Sequence, residues 1–204
     1  DDRNKLYVLA NRGAEFTSLW IYDVASRAWE AEPALTSPQA DVVDASAALD
    51  WTAKKTLGLG SYGIRHNAAA DTFVESKLVA ARAAIESRFP GQNISFTQRD
   101  RNWSNAIVSV SGPKLAPVYY LWRNGRELVQ LGKSRPWIDP LRLGEATARG
   151  FKARDGFAIP AFVTLPPGYQ PTKHGRIPLV VLPHDGPWQR DDLDWHETGW
   201  TQFL

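Results

Sequence analysis

A strand–turn–strand pattern that occurs twice constrains this chain more than any other feature. Lys5-Leu6-Tyr7-Val8-Leu9-Ala10 reads as a short strand, Asn11-Arg12-Gly13 as a turn, and Leu19-Trp20-Ile21-Tyr22-Asp23-Val24 as a second strand rich in aromatic and β-branched residues. Ala25-Ser26-Arg27 turns that strand towards Ala28-Trp29-Glu30. The pattern returns in Ala106–Val110, a Ser111-Gly112-Pro113 turn and Val118–Trp122. Asn124-Gly125 then gives a strong hairpin signal, because both positions of a tight two-residue turn need positive φ, and Glu127–Leu131 comes back alternately polar and apolar. Small antiparallel meanders separated by Gly, Pro, Asn and Asp suit the blades of a β-propeller, where each sheet is buried against its neighbours. A β-sandwich would give similar local signals.

One helix is predicted among the strands. Thr72 and Glu75 have capping-box spacing, and Val74, Leu78, Ala81, Ile85 and Phe89 share one helical face before Pro90-Gly91 ends it. That stripe reads as core packing.

Two glycine patterns are decoys. Gly58-Leu59-Gly60-Ser61-Tyr62-Gly63 has dinucleotide-loop spacing, but Lys54 and Lys55 stand where a buried strand is required and Ile64-Arg65-His66-Asn67 is a poor helix start. The same stretch imitates a hydrolase nucleophile turn around Ser61, yet Leu59 occupies a position that must be small. A glycine-rich turn in a blade is the expectation there.

Charge excludes further classes. The 204 residues carry 24 basic and 22 acidic side chains, mixed along the chain for a net +2, so no basic arm is available to neutralise a row of phosphates and nucleic acid is not an expected partner. Hydrophobic residues at 43% and charged residues at 23% are those of a soluble globular chain, and no apolar run reaches the ~18 residues of a spanning helix, so no membrane partner is expected either. The absence of Cys removes disulfides and thiolate metal sites. With no Met at position 1, the natural chain is expected to begin earlier, and a cytoplasmic and a periplasmic or secreted location both stay open.

Asp139–Glu145, with Pro and Gly but weak periodicity, is the expected crossing between two domains, 1–143 and 144–204. Beyond it, Phe151–Arg154 and Ile159–Leu165 flank an Asp155-Gly156 turn, which predicts a hairpin. Ile177-Pro178-Leu179-Val180-Val181-Leu182 is almost wholly apolar, as in a strand covered on both faces of an α/β sheet. Pro183-His184-Asp185-Gly186-Pro187-Trp188 follows as a tight loop. A loop in that place can aim a backbone N–H at a substrate carbonyl oxygen, where negative charge develops in acyl transfer. His184, Asp185, Asp194, His196 and Glu197 are of metal-ligand type, but their spacing fits no zinc motif and reads as a polar, solvated loop.

Val180-Val181-Leu182-Pro183-His184-Asp185-Gly186-Pro187-Trp188-Gln189-Arg190-Asp191 resembles the oxyanion loop of acylaminoacyl-peptidase-like members of the prolyl oligopeptidase (S9) family. Ala153–Gly156 with Ile159–Pro166 resembles the family's entry hairpin, and Trp200–Leu204 the start of the helix after the loop. The resemblance is specific from about Phe151 onward and looser before it. It implies a mixed fold, in which antiparallel β-propeller blades lead into the N-terminal part of an α/β-hydrolase domain. It also implies a serine peptidase of short peptides that needs no cofactor.

In that family the backbone N–H at the position of Asp185 serves the oxyanion hole, while His184, Gly186 and Pro187 shape the loop. The family has Gly where this chain has Asp185, and a carboxylate there opposes a developing oxyanion unless it points away or is paired, for which Arg190 is the nearby candidate. His184 is expected to be a hydrogen-bonded structural residue. The catalytic Ser, Asp and His are expected downstream of Leu204, leaving the 204 residues inactive alone. The expected partners are a peptide substrate and the rest of its own chain or a second copy. A non-catalytic propeller module that binds proteins, with a degenerate hydrolase-like tail, is the rival reading.

Overall fold

A computed structural model describes residues 4–50, 55–65, 69–73, 76–100, 103–186 and 189–204. Their strands form antiparallel sheets in which neighbours in sequence are neighbours in space. The first holds β1 (Lys5–Ala10), β2 (Ser18–Asp23) and β3 (Ala28–Trp29). The second holds β4 (Asp41–Asp50), β5 (Lys55–Arg65) and β6 (Ala69–Phe73). After helix α1 (Ser76–Glu86) comes a four-stranded meander, β7 (Asn93–Arg99), β8 (Asn105–Gly112), β9 (Leu115–Arg123) and β10 (Glu127–Lys133). A hairpin of β11 (Glu145–Lys152) and β12 (Ala158–Leu165) follows, then the short helices α2 (Pro171–His174) and α3 (Trp200–Phe203).

The four-stranded sheet carries the core. In β8 the alternation of Ala106, Val108 and Val110 with Ile107, Ser109 and Ser111 sends every second side chain to one face, and Val108 and Val110 are fully buried. Ile94, Trp122 and, from α1, Ile85 complete that cluster, with Phe89 and Tyr120 packed against it at 5.1 Å between ring centroids. Asn124 (φ 52°) and Gly125 (φ 67°) both take the left-handed conformation that the β9–β10 turn demands. The β8–β9 turn falls at Pro113-Lys114, two residues later than Ser111 suggests, because β8 extends to Gly112.

The first sheet closes on aromatic contacts. The Arg12 guanidinium lies 4.3 Å from the Trp20 ring and 4.9 Å from the Trp29 ring, and Trp29 meets Tyr22 edge-on at 5.0 Å. Thr17 ties this sheet to the next: its N–H donates to Asp41 Oδ1 at 2.9 Å, and its carbonyl accepts from the Val42 N–H at 2.9 Å.

Three local expectations are corrected. Thr72 is not a helix cap: it lies in β6, opposite Tyr62 of β5, because cross-strand bonds satisfy its backbone, and α1 starts at Ser76. The helical face survives in Leu78, Ala81 and Ile85, while Val74 and Glu75 lie outside the described residues. Gly58–Gly63 is not a turn: it is the middle of β5, paired with β4 and β6, and Gly60 falls where the β4–β5 register slips. Finally, Ile177–Leu182 forms no strand. Leu179 is 84% and Val181 73% exposed, since among the described residues no strand pairs with this run and no helix covers it.

Candidate functional site

The hairpin before the loop is as the sequence indicates. Gly156 takes φ 88° at the turn, the Phe157 N–H donates to Asp155 Oδ1 at 3.0 Å, and the strands run in continuous register from Lys152 opposite Ala158 to Glu145 opposite Leu165. β11 therefore begins inside the stretch that reads as a domain crossing. Gly144 immediately before it is sterically required, because a Cβ there would lie 2.1 Å from the Leu165 carbonyl oxygen.

The chain then turns at Pro166–Gly168, with the Tyr169 N–H donating to the Pro166 carbonyl at 3.0 Å, passes through α2 and reaches the candidate loop without further regular structure. His184, Asp185 and Gly186 are all exposed, and Gly186 adopts φ 60°, where a side chain is disfavoured. The backbone N–H of Asp185 is used by no hydrogen bond among the described residues. His184 makes no side-chain hydrogen bond there, in place of the bonded role the sequence suggests. Pro187 lies outside the described residues, as does Trp188. Arg190 does not pair with Asp185: its Nη2 lies 3.3 Å from Oδ2 of Asp41, at the start of β4. The Asp185 carboxylate thus has no cation beside it among the described residues.

After the loop the chain returns to the end of the four-stranded sheet. Asn93 and Ser111, opposite one another in β7 and β8, both bond it: Asn93 Nδ2 donates to the Leu193 carbonyl at 3.0 Å and Ser111 Oγ to Asp194 Oδ2 at 3.0 Å. Gln202 of α3 engages three backbone groups. Its Oε1 accepts from the Gly144 N–H at 2.8 Å, and its Nε2 donates to the Pro113 carbonyl at 2.8 Å and the Gly144 carbonyl at 3.1 Å. Sequence reasoning missed this seam, whose partners are far apart in the chain; Gln202 figured only as part of a helix start.

The remaining sequence candidates do not converge. Ser61 sits mid-strand opposite Ser46 and Phe73, without the strand–turn–helix setting of a nucleophile. Asp194 is used by Ser111 and by the Trp195 N–H at 2.6 Å, and His196 Nδ1 lies 2.8 Å from Thr198 Oγ1. Among the described residues no three His, Asp or Glu side chains gather into a metal site, and none of the helices is long and apolar enough to cross a membrane.

Sheets strung in sequence order, each a short antiparallel meander, fit a propeller-like domain. The fold is similar to that of a chain from a structural and mechanistic study of two prolyl endopeptidases, with a TM-score of 0.52 and 14% identity, over 82% of this chain and 24% of that one. In sequence the chain is 28% identical over 211 residues to dipeptidyl aminopeptidase BIII of Pseudoxanthomonas mexicana, a match covering 100% of this chain and 29% of that protein. The chain thus spans about three tenths of the length of this curated relative. No protein-family model matches it. The sequence likeness supports a piece of a prolyl oligopeptidase (S9) family protein, the family that the residues from Phe151 onward resemble, and the structural likeness bears on the fold alone.

Proposed function

We propose that residues 1–143 are the end of a β-propeller and residues 144–204 the start of an α/β-hydrolase domain, and that the complete protein is a serine peptidase of short peptides. The observation that carries this reading is the N–H of the exposed Asp185, used by no hydrogen bond among the described residues and followed by Gly186 at positive φ. A fixed backbone donor at a loop of this kind stabilises the oxyanion of a tetrahedral intermediate, and loss of one such donor costs about 10²–10³ in rate.

The nucleophile, its base and the supporting acid come from outside this span. In the complete protein the Ser hydroxyl attacks the peptide carbonyl while His takes its proton; the same His then protonates the departing amine, and water hydrolyses the acyl-enzyme. The role of the present residues is electrostatic, with the Asp185 N–H at the oxyanion. The Asp185 side chain must point out of the site for that role, because its charge opposes the one that develops. His184 and Gly186, with Pro187, set the path of the loop.

The test is turnover of a fluorogenic dipeptidyl substrate, a probe suggested by the name of the curated relative. The complete protein is expected to hydrolyse it and the isolated 204 residues are not. Turnover by the isolated chain would overturn the assignment of the triad to sequence outside it. A complete protein without activity on any peptide probe would favour the non-catalytic binding module, for which Asp185 in place of Gly is the supporting observation.

A further inference from the structure

The chain after the His184–Gly186 loop is held to the sheets at its two ends by chemically different contacts, with the Asn93–Leu193 and Ser111–Asp194 bonds between them. At one end is the Arg190–Asp41 ion pair, whose side chains are 51% and 23% exposed. Asp41 is itself fixed, because its other carboxylate oxygen accepts the Thr17 N–H. At the other end is the Gln202 amide. Its three bonds admit one orientation only, since Oε1 must face the Gly144 N–H and Nε2 the two carbonyls of Gly144 and Pro113. Gln202 therefore reads the backbone of Gly144 as a neighbouring strand would, through one donor and one acceptor, and spends its second N–H on the β8–β9 turn. Gly144 also approaches the Leu165 carbonyl too closely for any side chain, so Gln202 bonds the chain at a tightly packed point.

We propose that Gln202 is a positioning residue, a neutral pin that fixes the chain after the loop to Gly144 and Pro113, and that Arg190–Asp41 is a salt-sensitive latch fixing the same segment beside the loop. The role assigned to the pair in catalysis rests on the reading of His184–Gly186 as an oxyanion loop; the mechanical role does not. Nothing in Gln202 touches substrate, and its effect reaches the reacting atoms through the placement of the Asp185 N–H. The exposed ion pair weakens with ionic strength, whereas the amide bonds, between neutral groups, do not depend on it in the same way. Salt thus loosens the loop side first while the Gln202 end holds.

The test uses the complete protein and reads amide hydrogen exchange by mass spectrometry alongside kinetics. In the unsubstituted protein the Gly144 amide is expected to be protected; exchange there at the rate of an unstructured peptide overturns the proposal without any variant. Gln202→Glu keeps an acceptor for the Gly144 N–H but turns a carboxylate on two carbonyls. It is expected to speed exchange at least tenfold across residues 190–199 and leave the middle of the β11–β12 hairpin unchanged. Gln202→Leu, which removes the bonds without adding charge, carries the same expectation if the Glu variant does not fold. Acceleration confined to Gly144 contradicts positioning.

Arg190→Glu and Asp41→Arg are each expected to speed exchange over 189–195 and to abolish its rise with salt, and the double substitution to restore both. A double variant no better than either single one overturns the latch. In catalysis the Gln202 variants are expected to lower kcat about tenfold with KM within twofold; unchanged kcat in a folded variant with accelerated exchange overturns the catalytic part. If the unsubstituted protein takes up no fluorophosphonate, the peptidase reading fails by itself, and the exchange results still decide the pin and latch.

Discussion

Ala106–Val110 and Ile177–Leu182 are both short apolar runs, yet Val108 and Val110 are fully buried while Leu179 and Val181 stand mostly in solvent. The first run lies in a meander whose partners, β7 and β9, precede and follow it within a few residues, so local hairpins supply everything its backbone and one apolar face require. The second lacks polar alternation and demands cover on both faces, which neighbours in sequence do not provide. Apolar content marks a segment for burial, but where its partners sit in the chain decides whether a given span can bury it.

The largest test of this contrast is a pair of truncations. Ile85→Ala empties part of the core between α1 and the four-stranded sheet and is expected to cost about 2–5 kcal/mol in urea unfolding, whereas Val181→Ala in the same 204 residues is expected to stay within about 0.5 kcal/mol. A costly Val181→Ala in this chain would break the comparison. In the complete protein, where we propose that the run becomes an inner strand, the same Val181 substitution is expected to become destabilising, which would sharpen it.

Next in size is Gly144→Ala. Its Cβ has backbone rather than a flexible side chain in its way, so the β11–β12 hairpin must shift, at an expected cost of about 1–3 kcal/mol by thermal or urea unfolding. A neutral result would show that the crossing before β11 yields easily and would remove the tightly packed point that Gln202 bonds.

A smaller effect is expected at Tyr120. Burial of its ring raises the phenol pKa above its usual value near 10, so folding favours the protonated form. The contribution is present in full below the unfolded pKa and is lost as pH rises through the folded one. Tyr120→Phe is therefore expected to flatten the alkaline limb of the stability profile above about pH 10 and leave neutral stability little changed.

The smallest expected effect lies in the exposed turn after β2. There the Ser26 backbone N–H and then its hydroxyl lower the Asp23 pKa. Its contribution is present above the unfolded pKa and lost as pH falls through the lowered one, so Asp23→Asn should soften the acid limb slightly.

How much could be read from the sequence follows the same division. β1, β2, β8, β9 and β10 were legible because each is an alternating or aromatic-rich run ended by its own turn, and Asn124-Gly125 takes the two positive φ values its identity suggests. β4 was not, because Asp41–Asp50 mixes small and acidic residues without periodicity, and β5 hides behind glycines that resemble a turn. Thr72 shows a local cap signal losing to strand pairing. In the candidate site, the loop and its hairpin could be found from their resemblance to a family, since their residues are contiguous. The Arg190–Asp41 pair and the Gln202 seam could not, because nothing near Gln202 in sequence points to Pro113 or Gly144.

The claim at the centre of this account is that these residues contribute an oxyanion loop to a serine peptidase whose triad comes from elsewhere in the protein. Intact mass after exposure to a fluorophosphonate, which labels activated serines, tests it most directly. One adduct is expected on the complete protein and none on the isolated chain of 22.8 kDa. An adduct on the isolated chain, or a complete protein that stays unlabelled, would contradict it.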